Sequence, residues 1–352
     1  MSQQSCAGWR HDGGTSLDPI LPTPEFDRPV PLEDGLFWLR LRLPFALDHV
    51  NLLLCDDGDG WTLLDTGYGD PPTRAVWEAL LGGLLAGRPV QRVIGTHFHP
   101  DHVGLAGWLC ERTGAELLMS RTEWLSCRAL ALDDTDGFVA ASERNYRRAR
   151  LDEDIVLRQR QRRNAYRKGV SEPPPSFLRV KAGDQVVLAG DIWQVLVGEG
   201  HAPEQLTFYS PARNLLLAAD QILPKISPVV GVWGAEPDAD PLGDFLRSLE
   251  QYHGLPSDCR VFPAHGVPFL GLHERLAQLA SHHDQRLERV LAACAEPATA
   301  SDVLRALFTR PMDAHQIGFA LAETLAHLNR LLRAGRLERW ADKDGAFLYR
   351  AR

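Results

Sequence analysis

The chain lacks any apolar run near the roughly 20 residues that a membrane-spanning helix needs. Its start, Met1–Cys6, has neither a basic region nor an apolar core, so no secretory signal is predicted. The six cysteines are scattered without a C-x-x-C pair, which indicates reduced packing residues and no disulfide framework. We therefore expect a soluble cytoplasmic protein without a membrane partner.

An excess of basic residues is also missing. The formal net charge of -8 gives no global attraction to nucleic acid. A hydrophobic content of 44% and a charged content of 24% are ordinary for globular proteins. A chain of 352 residues can bury a full core and predicts one large domain with a smaller one.

A histidine-rich motif follows the apolar pair Val93-Ile94, which predicts a strand. The motif reads His97-Phe98-His99-Pro100-Asp101-His102. Residues two apart on an extended segment point the same way, so His97 and His99 can bind one metal ion together. Asp101 and His102 face a neighbouring position, where a carboxylate and an imidazole suit a second ion or a metal-bound water. A histidine-rich surface turn is the alternative.

Three further segments each place a metal-binding side chain at the end of a predicted strand. They are Gly200-His201 after Trp193–Val197, Asp220 after Leu215–Ala219, and His265 within Val261–Gly266. A carboxylate at the end of a buried strand is costly unless it is paired or bound to metal, which favours Asp220 as a ligand. Together with the motif, these residues indicate a metal centre.

These residues resemble the metallo-β-lactamase-fold hydrolases over about residues 30 to 275, including the segment Leu63-Leu64-Asp65-Thr66-Gly67. The resemblance implies a first metal on His97, His99 and His201, a second on Asp101, His102 and His265, and Asp220 bridging both. It also implies that Asp65 supports the ligands from behind. The lactamases themselves usually carry a cysteine at the Asp220 position, so the glyoxalase II-like, lactonase-like and nuclease-like branches are favoured.

The resemblance implies an α/β fold, a four-layer αββα sandwich, over residues 31–275, and the interleaved strand and helix patterns agree with it. Residues 1–30 are expected to form an N-terminal arm. Residues 276–352 predict three helices and a hairpin, similar to the winged-helix module of one branch of the family. The stretch 313–329 contains no Lys or Arg, so we expect packing over the active site or in a homodimer and do not expect DNA binding.

Residues 121–176 exceed what the minimal fold requires and predict a helical insertion. Ten Lys and Arg residues lie between Arg144 and Lys168. One interpretation is a solvated helical hairpin that pairs these charges with Glu143 and the acidic run 152–154. The other is a lid that holds an anionic part of the substrate, because arginine presents paired donors in one plane.

The expected function is hydrolysis by a hydroxide held between two divalent ions, zinc first, with iron or manganese as alternatives. Asp101 is the predicted catalytic residue, since it would orient the nucleophile and shuttle its proton. A small, anionic thioester or related acyl compound is the favoured substrate. Lactonase activity and phosphodiesterase or endoribonuclease action on single-stranded nucleic acid stay open. The complete ligand set disfavours a nucleic-acid-binding regulator with a vestigial metal site.

Overall fold

The computed structural model describes Leu17 and residues 19–352. The expected N-terminal arm of residues 1–30 therefore lies outside the described residues at positions 1–16 and 18. Five cysteines fall in the described part, and all five are free and buried. Within the same part, no helix combines the length and the apolarity that crossing a membrane requires.

The strands of the described chain fall into three sheets. They are β1 Val30–Glu33, β2 Leu36–Arg42, β3 His49–Asp56, β4 Trp61–Leu64, β5 Val90–Ile94, β6 Glu116–Met119, β7 Leu178–Arg179, β8 Gln185–Leu188, β9 Asp191–Gly198, β10 Gln205–Ser210, β11 Leu215–Ala219, β12 Arg260–Pro263, β13 Ala298–Thr299, β14 Leu337–Ala341 and β15 Phe347–Ala351. The first sheet has the order β1-β2-β3-β4-β5-β6-β7, the second β12-β11-β10-β9-β8 and the third β13-β15-β14.

The α-helices alternate with these strands between residues 30 and 263 and then predominate. They are α1 Pro71–Gly82, α2 Pro100–Val103, α3 Ala106–Thr113, α4 Arg121–Leu132, α5 Asp136–Arg148, α6 Glu153–Arg162, α7 Pro241–Leu249, α8 Leu272–Ala293, α9 Ala300–Leu307 and α10 Ala314–Arg333. Short 3-10 helices cover Ala165–Lys168 and Glu250–Gly254.

Three hydrophobic cores define the layers of the large domain. Alternate residues of β2, such as Leu36 and Trp38, pack with Trp193 and Phe208 of the second sheet between the two sheets. The opposite face of the first sheet packs on α1 and α3, and the opposite face of the second sheet packs on α7 and α8. The order of layers is therefore helix, sheet, sheet, helix, which confirms the αββα sandwich expected from the sequence.

The segment that follows the histidine-rich motif forms two short helices with a break between them. Helix α2 ends at Val103 and α3 begins at Ala106. The break lies at Gly104, where an added Cβ would meet Gly69 N at 2.3 Å and Gly67 O at 2.5 Å. The chain therefore crosses the loop after β4 at backbone contact distance, which an uninterrupted helix with ordinary side chains does not allow.

The insertion and the tail are both helical and pack against each other. Helices α4, α5 and α6 occupy residues 121–162, and the Tyr146 ring packs beside the core of the tail. Helix α8 continues without a break across residues 275 and 276, the boundary that the sequence analysis places between the domains. Helices α9 and α10 and the third sheet complete the tail around Leu304, Leu328 and Tyr349.

Candidate metal centre

The candidate ligands follow the carboxyl ends of parallel strand pairs in both sheets. In the first sheet β4 pairs in parallel with β5, and Asp65 and His97 follow these strands. In the second sheet β11 pairs in parallel with β12, and Asp220 and His265 follow them. Because parallel neighbours end at the same edge of a sheet, each sheet delivers two site residues to one place. His201 follows β9 of the second sheet.

The structure brings His97, His99 and His201 together as one group. His97 Nε2 lies 3.0 Å from His99 Nδ1 and 3.3 Å from His201 Nε2. Zinc–nitrogen bonds of about 2.0–2.1 Å in a tetrahedron would set ligand atoms about 3.3 Å apart. The two distances from His97 Nε2 are close to this spacing, and all three ligand atoms lie within 4.8 Å of one another.

A second group lies next to the first and contains Asp101, His102 and His265. Their ligand-type atoms all lie within 4.8 Å of one another. The His265 Nε2 atom is 3.4 Å from Asp101 Oδ2, and His102 Nε2 is 3.7 Å from the same oxygen. Two imidazoles and a carboxylate therefore face one point.

Asp220 lies between the two groups and presents one oxygen to each. Its Oδ2 is 3.3 Å from His201 Nε2. Its Oδ1 is 3.3 Å from His265 Nε2 and 3.6 Å from His102 Nε2. This is the arrangement that a bridging carboxylate requires, since each oxygen can bind a different ion.

Four of the five histidines are held by their Nδ1 atoms, which leaves Nε2 directed at the centre. The Nδ1 contacts are Thr96 Oγ1 at 3.1 Å for His97, Asp65 Oδ2 at 2.8 Å for His102, Val229 O at 2.8 Å for His201 and His49 O at 2.7 Å for His265. An oxygen acceptor at Nδ1 keeps the proton there and frees the Nε2 lone pair for a metal ion.

Asp65 supports the histidine-rich motif through hydrogen bonds from Thr96 and His102. It accepts hydrogen bonds from the backbone N–H and the hydroxyl of Thr96 at 2.8 and 2.9 Å, besides the one from His102. Asp65 is buried and has φ 63°, a left-handed conformation that Asp and Asn adopt more readily than most residues. The supporting position that the resemblance gives to Asp65 agrees with these contacts.

Three buried atoms at the centre have no hydrogen-bond partner in the described part of the chain. They are His102 Nε2, His265 Nε2 and Asp220 Oδ1. A buried polar atom without a partner is costly, and both nitrogens lie within 3.6 Å of Asp220 Oδ1. The donor set of imidazole nitrogens and carboxylate oxygens therefore fits two divalent ions. The assignment of each residue to an ion stays a prediction.

Burial and neighbouring charges give the two groups different proton affinities. Burial lowers the pKa of His97 well below its usual value and that of His99 to about 3, so both are neutral. Burial also opposes protonation of His265, but Asp220 and Asp101 outweigh it and raise its pKa to about 10. Burial would raise the pKa of Asp101, but the neighbouring His102 and His265 outweigh burial and lower that pKa to about 2. The second group thus holds protons that an incoming ion displaces.

A buried glutamate that the sequence analysis missed connects the two histidine segments of the first group. Glu123, at the start of α4, is 0% exposed. Its Oε2 accepts the Phe98 N–H at 2.9 Å, and its Oε1 accepts the Glu204 N–H at 2.6 Å. Glu123 therefore fixes the loop of His97 and His99 against the loop of His201. No spacing or motif in the sequence points to it.

Asn51 in β3 performs a similar role for His265. Its amide donates to the carbonyls of Pro263 and Gly266 at 3.0 Å each, and its oxygen accepts the Trp38 indole N–H at 2.9 Å. The carbonyls on both sides of His265 are thus attached to the first sheet. The sequence analysis does not single out Asn51, since the carbonyls that it binds are more than 200 residues away.

Comparison with known proteins agrees with this geometry. Residues 46–265 match the family model described as the metallo-beta-lactamase superfamily. The chain belongs to this superfamily. Residues 287–352 match the model described as the metallo-beta-lactamase-like C-terminal domain. Members of the superfamily bind divalent metal, and the histidine and aspartate groups fit such a site.

Two solved structures and one curated protein are similar over nearly the whole chain. A beta-lactamase domain protein from Burkholderia ambifaria is 38% identical, with a TM-score of 0.85 over 96% of this chain and 97% of its own. A metallo-beta-lactamase family protein from Thermus thermophilus is 32% identical, with a TM-score of 0.77 over 92% and 100%. The probable metallo-hydrolase YqjP of Bacillus subtilis (strain 168) is 24% identical over 83% of this chain and 91% of its own. The chain is thus a metallo-hydrolase of the superfamily, and the glyoxalase II-like branch stays a prediction.

Proposed function

We propose that the chain hydrolyses a small anionic acyl compound, a thioester or a related ester, at a centre of two divalent ions. The observation that carries the proposal is Asp220, whose two oxygens face two separate histidine groups. Zinc is the first candidate because imidazole nitrogens dominate the donor set, and the carboxylates of the second group also admit iron or manganese.

In this proposal, the two histidine groups and Asp220 would hold the ions, which would supply a water molecule of lowered pKa and a polarised substrate carbonyl. The residues of the chain orient the reactants. Asp101 is only partly buried, in contrast to His102 and His265, so its carboxylate borders the space open to substrate. As a carboxylate of low pKa, Asp101 accepts a hydrogen bond from the attacking water and directs the lone pair of that water at the acyl carbon.

Hydrolysis of single-stranded nucleic acid has less support from the insertion. Six of its ten basic side chains in the run 144–168 pair with carboxylates: Arg147, Arg150, Arg158, Arg160, Arg163 and Arg167. Arg148 lies over the Phe347 ring. A nucleic acid channel needs basic side chains that are free to neutralise phosphates. This pairing supports the first interpretation, a helical hairpin with paired charges, for most of the insertion.

The tail is proposed to be a winged-helix-like cap on the insertion that does not bind DNA. Gln159 of the insertion donates to Ala314 O of α10, and Arg150 pairs with Asp342 in the β14–β15 turn. These contacts occupy the helix and the hairpin that a DNA-binding winged helix would present. A homodimer and a cytoplasmic location stay predictions, the latter supported by the free and buried cysteines of the described chain.

A substrate panel tests the proposal directly. Protein loaded with zinc, iron or manganese is assayed with acyl-CoA, acyl-glutathione, a lactone, bis(p-nitrophenyl) phosphate and single-stranded RNA. We expect turnover of at least one thioester that is lost in Asp220→Ala. Cleavage of the phosphodiester or RNA without any acyl turnover would replace the proposal with the nuclease alternative.

A further inference from the structure

A cavity of about 160 Å³ lies between the insertion and the tail, outside the metal centre. Phe138 and Tyr146 of α5 line one side, and Arg162 at the end of α6 lines the next. Trp233 from the loop before α7 and Phe319 of α10 close the opposite side. Cavities near 150 Å³ hold a single benzene ring. The space therefore suits a ring-sized group.

One wall of the cavity carries an uncompensated positive charge. Of the three arginines in the lining, Arg160 approaches Glu143 at 3.8 Å, and Arg163 pairs with Asp134 and Asp136 at 3.2 and 3.1 Å. Arg162 lies on helix α6 like Arg160, but it has no carboxylate partner among the described residues. Glu143, also in the lining, pairs with Arg147 at 3.0 Å. Arg162 thus leaves its planar donors free for an anion.

The opposite wall is aromatic and open to solvent. Trp233 is 44% exposed and Phe319 is 37% exposed, and their rings meet edge to face at 5.7 Å. The His315 ring lies 5.0 Å from Phe319 and also lines the cavity. Exposed large aromatic side chains on a concave surface are typical of sites that bind flat apolar groups.

Both walls are attached to segments that hold the metal centre. Ala165 in the lining precedes Tyr166, whose hydroxyl donates to Phe98 O between two candidate ligands. Trp233 follows Val229, the acceptor of the His201 Nδ1 hydrogen bond, by four residues, which is at most about 14 Å of extended chain. Short segments of chain therefore connect the cavity to the metal centre.

We propose that this cavity binds an anionic aromatic group, with the anion on Arg162 and the ring against the side chains of Trp233 and Phe319. The inference rests on the proposed acyl hydrolysis for its purpose, since the cavity would hold the part of that substrate remote from the cleaved bond. Of the ten basic side chains in the insertion, the proposal assigns binding of the anionic part of the substrate to Arg162.

Binding of benzenesulfonate to the metal-loaded full-length protein tests the proposal, measured by calorimetry or ligand-observed NMR. Methyl phenyl sulfone is the uncharged match, and methanesulfonate is the match without a ring. Arg162→Ala should weaken benzenesulfonate binding about tenfold or more, the size expected for loss of a hydrogen bond to a charged group. Arg158→Ala is the matched control, because Arg158 lies one turn earlier on α6, pairs with Asp154 and does not line the cavity.

A further variant, Trp233→Ala, should weaken benzenesulfonate binding and leave the weak binding of methanesulfonate unchanged. Equal affinities for Arg162→Ala and Arg158→Ala would overturn the proposal, and so would equal binding of methyl phenyl sulfone. Failure of the proposed hydrolysis is seen separately, because it appears as lack of thioester turnover while benzenesulfonate still binds. Turnover of a small neutral thioester without benzenesulfonate binding refutes the cavity alone.

Discussion

Replacement of Asp65 by asparagine tests how the protein keeps its histidines ready for metal. The variant has almost the same shape, and asparagine tolerates the left-handed backbone at this position. The introduced side chain can still accept the Thr96 N–H through its oxygen. Its amide nitrogen would then face the Thr96 hydroxyl and His102 Nδ1, where the wild-type carboxylate accepts both hydrogens.

The consequence is a change of tautomer at His102. An amide donor facing Nδ1 moves the imidazole proton to Nε2, the atom directed at Asp220 and Asp101. An ion at the second group must then displace or avoid that proton. Loss of such an outer partner typically costs 10–100-fold in metal affinity, which corresponds to about 1.4–2.7 kcal/mol. The Thr96 hydroxyl, which contacts His97 Nδ1, also loses its acceptor. The metal affinity of the first group should therefore fall as well, but less than that of the second group.

Competition with a metal-sensitive chelator measures this effect for each of the two equivalents. Asp57→Asn is the control. The Asp57 carboxylate also accepts hydrogen bonds, from Thr62 and Arg92, but it does not contact a candidate ligand. The Asp65→Asn variant should lose at least tenfold in affinity for one equivalent while its melting temperature stays close to that of Asp57→Asn. If the affinities for both metal equivalents stay within twofold of the wild-type values, the tautomer argument is refuted.

Four further outcomes are expected. Elemental analysis of supplemented protein should give close to two ions per chain, and one or fewer would contradict the dinuclear centre. Asp220→Ala should lose turnover and metal content, whereas Asp101→Ala should lose turnover and keep the ion of the first group; an active Asp101→Ala would refute its role. The pKa of His265 is raised to about 10, so metal uptake at pH 7 should release protons to a pH indicator and tighten as pH rises. Gly107→Ala should destabilise the fold by about 1–3 kcal/mol in denaturant unfolding, since its Cβ would lie 1.9 Å from Glu172 O.

The αββα sandwich could be predicted from the resemblance to the family, and the place of the candidate metal centre could be predicted because strand ends are local features. His97, Asp220 and His265 each follow an apolar run, and the family pattern orders them. The pairing of the arginines in the insertion and the break at Gly104 could not be predicted in this way. Both depend on partners far away in the chain, such as Asp342 and Gly69. Glu123 and Asn51 were missed for the same reason, since a single buried polar residue leaves no periodic pattern.

The unbroken helix α8 ties the stability of the two halves of the molecule together. Its first half, with Leu272, Leu276 and Leu279, contributes to the core beside the second sheet, and Val290 near its end belongs to the core of the tail. Unfolding either core removes the burial that keeps the shared helix folded. Helix α8 offers proteases no hinge at residue 276. We therefore expect the large domain and the tail to unfold as one cooperative unit.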